Sequence, residues 1–270
     1  MSYQWAFEDV NGSSTHQYLP VRNGVTTTLG TITTCGGGAV NCRVRQEDTG
    51  RTGKGLRFDP TADSSFAWIA GGGTTSSVGA LCTSNVIEFG DRYGDLDQPI
   101  QMTVAMWINP DRIEAGQTYH LFGTGNPVET PSGIITATFH VRIVDGKVQL
   151  SLYPSSNSLS PDMTLDSATT LAVSAPGSNW HHVAVTYNNF AVAMYIDGRL
   201  DAVGTRDADH RALCAARRPY YLGGLSSLVK IDGGPIEKAS YIFPGVIDQL
   251  VFSNRAYSPS EIGQLATQAP

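Results

Sequence analysis

The chain has 270 residues, of which 41% are apolar and 16% charged, and its formal net charge is −6. This composition is typical of a folded chain with a sizeable core and excludes a disordered one. The longest basic run is Arg217-Arg218, and the longest apolar runs, such as 191–196, are far below the roughly 20 residues that span a bilayer. We therefore expect neither a nucleic-acid partner nor a membrane span.

Most predicted elements are β-strands, because glycine and proline interrupt the chain every few positions and the segments between them alternate in polarity. In MTVAMWI (102–108), Met102 and its alternate neighbours lie on one face, while Thr103, Ala105 and Trp107 lie on the other. Both faces are largely apolar, which indicates an inner strand covered on both sides. Weaker strands are predicted at 5–8, 55–59, 86–90, 119–123, 169–173, 220–224 and 245–253.

Turn sequences predict how several strands are joined. Asp145-Gly146 and Asp197-Gly198 each separate two alternating segments, and Asp-Gly supplies the positive φ angles of a two-residue hairpin turn. Asn188-Asn189 marks a third turn. We predict a hairpin at the first of these turns and a three-stranded antiparallel meander over 180–203. With about a dozen strands, the chain is predicted to be all-β, in two packed sheets.

One short helix is predicted near the end of the chain. Ser258-Pro259-Ser260-Glu261 offers an N-cap serine, a proline at the first helical position and a glutamate that can bond back to the cap amide. The predicted helix covers 259–266.

Long loops lie between the strands, and no shift in composition divides the chain, so we predict a single domain over 1–270. Long loops on a rigid scaffold are where binding surfaces are usually placed. The longest predicted insertions are 11–53, 60–85 and 204–218.

The four cysteines contain no CxxC motif and have no histidine at zinc-finger spacing, so structural zinc is not expected. An even count permits two disulfides, of which Cys35–Cys42 would close a short loop and Cys82–Cys214 would tie two insertions. Four free thiols are also compatible with the residues, and the sequence leaves the choice open.

Three segments carry a family resemblance: WHHVAVTY (180–187), YIDG (195–198) and IDQLVFSNRAYSPSEI (247–262). Their order and spacing resemble the laminin-G-like, concanavalin-A-like jelly-roll family, and weaker similarity extends over nearly the whole chain. The resemblance implies a jelly-roll sandwich of two antiparallel sheets with the first and last strands adjacent. It also implies a binding or adhesion module, without fixing one ligand.

Catalytic motifs are missing from the sequence, which contains neither GxSxG nor HExxH. Jelly-roll glucanases carry carboxylates at alternate strand positions, and neither Glu88 with Asp91 nor Asp248 reproduces that pattern. His181 and His182 fall on opposite faces of a strand, so they cannot chelate one ion and are interpreted as framework residues. We therefore predict that the chain is not an enzyme.

Calcium is the expected cofactor, because jelly rolls of this kind often carry one ion bound by carboxylate and carbonyl oxygens. If the first strand pairs with 245–253, as the resemblance implies, Asp248 approaches Asp9 and Asn11. We predict all three residues as calcium ligands. Acidic clusters at 91–97 and 207–210 are alternatives. None of the three has EF-hand spacing, and solvated turn aspartates are the other interpretation.

Aromatic side chains suggest where a sugar would bind, because sugar rings stack on aromatic faces while their hydroxyls need oriented hydrogen bonds. Trp5, Trp107 and Trp180 lie within predicted strands and are expected in the core. The loop aromatics predicted to contact a ligand are Trp68, Tyr93, Tyr153, Tyr220 and Tyr221.

Our leading hypothesis is a non-enzymatic binding or adhesion module that recognises a glycan or a cell-surface ligand, such as a surface protein, through its long loops. The alternative is a virion decoration or tail-associated protein that uses the jelly roll for assembly into a capsid or tail. A polysaccharide-degrading enzyme comes third. The segment MSYQWAFEDV contains no secretory signal, so we expect either a removed signal or display on a particle, and in both cases an extracellular or particle-surface location.

Overall fold

The computed structural model describes fourteen ranges of the chain: 2–5, 14–15, 32–34, 44–61, 67–69, 101–124, 128–130, 133–135, 139–153, 159–175, 178–207, 220–231, 234–253 and 255–267. The strands in these ranges are β1 Ser2–Trp5, β2 Ser14–Thr15, β3 Ile32–Thr34, β4 Val44–Glu47, β5 Gly55–Phe58, β6 Ala67–Ile69, β7 Gln101–Pro110, β8 Thr118–Thr124, β9 Val128–Thr130, β10 Gly133–Ile135, β11 Phe139–Val144, β12 Lys147–Leu152, β13 Met163–Thr170, β14 His181–Asn188, β15 Ala191–Ile196, β16 Arg199–Thr205, β17 Tyr220–Leu222, β18 Leu225–Ile231, β19 Gly234–Ser240 and β20 Gly245–Ser253. The helix α1 is Pro259–Thr267.

Sheet 1 contains eight strands: seven follow the order β16-β15-β14-β7-β20-β5-β4, and β1 pairs with β20 off this path. The neighbours pair antiparallel, and β7 lies between β14 and β20 with nearly every residue buried, which confirms the predicted inner strand. The meander β14-β15-β16 is confirmed as well. The pairing of β1 with β20 brings the first and last described strands together, as the resemblance implied.

Sheet 2 contains eight strands in the order β13-β12-β11-β8-β17-β6-β3-β2, again antiparallel. Two separate hairpins, β9–β10 and β18–β19, complete the strands described. The predicted all-β, two-sheet sandwich with one short C-terminal helix is confirmed. No helix in the described ranges is long and apolar enough to cross a membrane.

The main core lies between the two sheets and takes apolar residues from alternate positions of both. Met106 and Ile108 of β7 belong to it, whereas Ala105 of the same strand faces outward and packs with Ile262 of α1 in a smaller cluster. The helix therefore covers part of the outer face of sheet 1 and buries β7 at Ala105.

The predicted turns have the expected backbone conformations. Asp145 and Gly146 have φ angles of 49° and 81°, and Asp197 and Gly198 have 51° and 77°. These left-handed values are those of a type I′ hairpin turn. Asn189, in the turn between β14 and β15, also has a positive φ of 57°.

The predicted loop insertions need correction, because each contains strand residues. The insertion 11–53 contains β2, β3 and β4, the insertion 60–85 contains β6, and residues 204–205 of the third belong to β16.

The strand predicted at 169–173 is wrong, because β13 ends at Thr170. β13 is an edge strand of largely exposed, polar residues, so it lacks the apolar alternation by which strands are found. β1 begins at Ser2 rather than at residue 5, and 86–90 lies outside the described residues.

Candidate functional site

A groove lies on the outer face of sheet 1, between β14–β16 and the segment that leads into α1. Its volume is about 760 Å³, within the range of ligand sites in proteins. Alanine and glycine on β15 and β16 form much of the floor, so side chains do not fill the depression. We call it the α1 groove and define it by Asn188, Ala191, Val203, Arg255, Tyr257 and Glu261.

Two side chains of β7 hold the wall of the groove. Thr103 Oγ1 donates to the Arg255 carbonyl over 2.6 Å and accepts from the Tyr257 N–H over 2.9 Å. Gln101 Nε2 donates to Asn188 Oδ1 over 3.1 Å. Thr103 is fully buried, and hydrogen bonds shielded from water are strong. The wall is therefore fixed against the sheet before a ligand binds.

The charges in the α1 groove neutralise each other. Arg255 Nη1 donates to Glu261 Oε2 over 3.0 Å, and its Nη2 lies 2.8 Å from Oε1. The guanidinium also lies over the Tyr257 ring, 4.2 Å from its centroid. The hydrogen bond from Arg255, followed by that from the Ser258 N–H, lowers the pKa of Glu261 to about 2. Both groups stay ionised at neutral pH and add no net charge, so the groove suits an uncharged ligand.

Two exposed side chains add a donor and an apolar surface. The Oδ1 atom of Asn188 accepts from Gln101, and within the described ranges no acceptor bonds to its Nδ2, which leaves an exposed N–H donor. Val203 is 67% exposed. The groove therefore combines an amide donor, an ion pair and an apolar side chain, the mixture of polar and apolar groups found in ligand sites.

The N-terminus of α1 forms the end of the groove and is capped as predicted. Ser258 Oγ accepts from the Glu261 N–H over 3.3 Å, and Glu261 Oε2 accepts from the Ser258 N–H over 2.8 Å. We expect Ser258→Ala to lower the free energy of unfolding by about 1 kcal/mol, and Ser258→Asn to lose much less because it keeps an acceptor. Urea denaturation compares the three proteins. Equal losses in both variants would contradict a capping role.

A second polar cluster lies on the same outer face, where Asp248, Trp107 and His182 are register neighbours across β20, β7 and β14. Asp248 is fully buried. Its Oδ2 accepts from the Thr52 N–H over 3.1 Å, and its Oδ1 accepts from the Gln249 N–H over 2.7 Å. The carboxylate therefore fixes the turn at residues 50–53 against the sheet.

The calcium and disulfide predictions fall largely outside the described residues. Asp9 and Asn11, the predicted partners of Asp248, lie outside them, and so does the cluster at 91–97. Among the residues whose positions are described, no three His, Cys, Asp or Glu side chains are grouped to hold a metal ion. Calcium therefore stays a prediction. The cysteines also lie outside the described ranges: Cys35, Cys42, Cys82 and Cys214.

The adjacent histidines of β14 contact different groups. His181 Nδ1 lies 3.1 Å from Asp197 Oδ2, and this hydrogen bond raises the pKa of His181. Burial acts to raise the pKa of Asp197, but the hydrogen bonds from His181 and from the His182 N–H outweigh it and lower that pKa. The His182 ring is buried against Trp107, with ring centroids 5.3 Å apart, and burial lowers the pKa of His182 to about 4.

The aromatic residues predicted to contact a ligand do not gather in the α1 groove. Tyr220 lies in β17 rather than in a loop, is fully buried in the main core and packs edge-on against Phe252 with ring centroids 4.9 Å apart, which contradicts its prediction as a loop contact. Tyr153 follows β12 and is 5% exposed, with its hydroxyl 3.2 Å from His140 Nδ1. Neither side chain is free to stack on a ligand.

The other predicted aromatics within the described ranges belong to strands of sheet 2. Tyr221 is half-buried and alternates with two core residues, so it faces away from the core. Trp68 lies in strand β6, not in a loop, and is the register partner of Tyr221. Tyr93 lies outside the described residues.

The outer face of sheet 2 carries buried polar residues next to these aromatics. His120 and His140 are fully buried, with ring centroids 5.7 Å apart. Burial lowers the pKa of His120 well below its usual value, and the nearby His140 and Arg142 lower it further. Because these side chains are covered, the face is interpreted as structural.

A family model supports an assignment for this fold. It describes the concanavalin A-like lectin/glucanase superfamily and matches residues 81–263, more than half of the chain. The chain belongs to this superfamily. No curated protein sequence matches it.

Solved structures similar to this superfamily member share its fold at low identity. Domain 4 of AbnA, a GH43 extracellular arabinanase from Geobacillus stearothermophilus solved with arabinotriose, has a TM-score of 0.54 at 20% identity, covering 98% of this chain and 97% of that one. The binding domain of Paraclostridial Mosquitocidal Protein 1 has a TM-score of 0.53 at 15% identity, covering 84% and 46%. The Botulinum neurotoxin type G receptor binding domain has 0.51 at 9%, covering 88% and 46%.

These similarities establish the fold alone, because every identity is low. The chain spans less than half the length of the two toxin domains. The fold is one on which binding modules are built, and some similar chains are parts of enzymes.

Sequence reasoning missed the residues of the α1 groove. Asn188 was interpreted only as a turn residue, and Ser258 with Glu261 only as a helix cap. The groove forms because the chain after β20 crosses the end of sheet 1 and meets β16, an edge strand far away in the sequence. The one available signal was Val203 in the third strand of the meander, an apolar residue that alternates with the polar Asp201 and Thr205.

Proposed function

We propose that this superfamily member is a non-enzymatic binding module that recognises an uncharged glycan in the α1 groove. The observation that carries the proposal is the groove itself, with its open floor and its self-neutralised ion pair between Arg255 and Glu261. A ligand bearing many hydroxyls and no charge matches such a surface.

The hydrogen-bonding groups of the groove complement sugar hydroxyls. Asn188 Nδ2 and the exposed part of the Arg255 guanidinium are donors, and the Glu261 carboxylate is an acceptor. A hydroxyl both donates and accepts, so neighbouring hydroxyls on one ring can bond to both kinds of group. Val203 provides an apolar surface for the C–H face of the ring.

One of the similar structures supports a glycan as the ligand class without naming one. The arabinanase domain that matches this chain over nearly the full length of both was solved with arabinotriose. We propose that the chain acts outside the cell or on a particle surface, where extended glycans are accessible. The proposed absence of catalysis rests on the sequence, which lacks the paired carboxylates of a glycosidase.

Filling the α1 groove tests the proposal. We expect Val203→Arg to weaken binding to a neutral-glycan array by at least roughly tenfold, because the new side chain occupies the groove and leaves an unpaired charge there. Leu200→Arg is the matched control, since Leu200 is 57% exposed on the same strand and does not line the groove. Loss of binding in both variants, or in neither, would contradict the assignment.

Two further measurements test the predictions of a calcium site and of the absence of catalysis. Array binding is measured in Ca²⁺ and in EDTA, and loss of binding in EDTA is expected only if a calcium site supports the fold or the ligand. Release of reducing ends from polysaccharides that bind is measured in parallel. Reducing-end release above background would overturn the non-enzymatic assignment, and failure of every neutral glycan to bind would overturn the proposed ligand class in favour of the assembly alternative.

A further inference from the structure

The exposed side chain of Arg51 covers the buried ring of Trp107 on the outer face of sheet 1. Trp107 is 6% exposed, and the Arg51 guanidinium carbon lies over its ring, 4.6 Å from the centroid. Arg51 is itself exposed, and among the described residues it makes no ion pair. A cation–π contact at an exposed site is weak, so moving Arg51 off the ring costs little.

Two buried polar atoms, one on Trp107 and one on His182, lack hydrogen-bond partners among the described residues. In the part of the chain that the structure describes, neither Trp107 Nε1 nor His182 Nδ1 has one, and both atoms are buried. An unsatisfied buried polar group is costly and needs an explanation. The indole N–H only donates, while the imidazole nitrogen accepts in one tautomer. A hydroxyl, which both donates and accepts, has the chemistry to satisfy both atoms.

A hydrogen bond next to Arg51 holds its turn in place and keeps Arg51 near the Trp107 ring. The next residue, Thr52, is 7% exposed, and its N–H donates to the buried carboxylate of Asp248 over 3.1 Å. Asp248 and His182 are the register neighbours of Trp107 on either side. The backbone of the turn is therefore anchored, so the Arg51 side chain can leave the ring while the turn stays in place.

We propose that Trp107 is the stacking platform of a second saccharide site, with Arg51 as a displaceable cover and with Trp107 Nε1 and His182 Nδ1 as partners for one ring hydroxyl. An apolar sugar face takes the place of the guanidinium on the indole ring. The site is separate from the α1 groove and does not depend on it. A chain with both sites binds two parts of one glycan, which raises its apparent affinity for long glycans.

Removing Arg51 from the ring tests the proposal, with maltotriose, cellotriose and arabinotriose as probes in isothermal titration calorimetry. We expect Arg51→Ala to bind at least one probe about two- to fivefold more tightly than the wild type, because no cation–π contact has to be broken. The double variant with Trp107→Phe is expected to lose this gain. Arg112→Ala is the matched control, since Arg112 is equally an exposed arginine and does not contact Trp107.

A second measurement protects the test against a Trp107→Phe variant that does not fold. Hydroxyl-radical footprinting of Arg51→Ala is expected to show oxidation of Trp107 that the bound trisaccharide suppresses. The gain is also expected to persist in Arg51→Ala combined with Val203→Arg, which separates this site from the α1 groove. Unchanged or weaker affinity in Arg51→Ala, or no protection of Trp107, would overturn the second site whatever happens at the groove.

Discussion

Lowering the pH from 7 to 5 is expected to reduce the free energy of unfolding by about 2 kcal/mol through His182 alone. Burial lowers the pKa of His182 to about 4 in the folded chain, whereas the unfolded chain has the ordinary value near 6.5. Between these two values the unfolded state binds more protons than the folded state, so stability falls as the pH falls. His120 adds to the loss, because its pKa is lowered in the same direction.

The opposite effect of His181 has to be separated from that of His182. The pKa of His181 is raised by its hydrogen bond to Asp197, so its contribution is fully present below pH 6.5 and is lost as the pH rises through the folded pKa. Urea denaturation at pH 7 and pH 5 compares the wild type with His182→Gln and His181→Gln.

We expect His182→Gln to flatten the pH dependence and His181→Gln to steepen the loss on acidification. An NMR titration of the His182 imidazole, with an expected midpoint near pH 4, measures the pKa in the wild type and needs no variant. A midpoint near 6.5 would show that the imidazole ring is not shielded from water in the folded chain.

Tyr220→Ala is expected to lower the free energy of unfolding by about 3–5 kcal/mol. The Tyr220 ring is fully buried, and it contacts Phe252 at 4.9 Å, Phe122 at 5.7 Å and Phe139 at 5.9 Å between ring centroids. Removing it leaves a cavity where three aromatic side chains meet, and they cannot all move in to fill it. Thermal or urea denaturation measures the loss.

The neighbouring tyrosine is the matched control for this prediction. Tyr221 lies on the opposite face of β17 and is half-buried, so Tyr221→Ala is expected to cost a much smaller fraction of stability. Binding of neutral glycans to Tyr220→Ala, measured under conditions where that variant is folded, is expected to match the wild type. A weaker affinity with unchanged stability would restore Tyr220 as a ligand contact.

The strands and turns were predictable from the sequence where local pattern decides the structure. The double-sided apolar pattern of 102–108 and the Asp-Gly turns at 145–146 and 197–198 specify β7 and two tight turns with local information alone. The sequence placed this strand at 169–173 instead of at β13, because an exposed edge strand does not need apolar alternation. Its position is set instead by pairing with β12, which no window of the sequence shows.

The candidate site was harder to predict because it depends on which distant segments meet. The tyrosines at 220 and 221 looked equivalent in the sequence, yet alternation sends one into the core and the other outward, and only the strand's register decides which. The α1 groove joins residues near 188 and 203 to residues near 255. Trp107 was predicted to be buried and is, but its cover by Arg51 comes from a turn that β20 holds in place.

The pairing of β1 with β20 also determines how the fold responds to a pulling force. Ser2 lies opposite Ser253, and four residue pairs join the two strands, so a load applied at these two residues separates the pairs one after another from the same end. β20 remains bonded to β7 along nearly its whole length while this happens. Under tension between those two points, β1 therefore peels away first, and both groups of residues assigned here to ligand binding stay on the part of sheet 1 that still holds together.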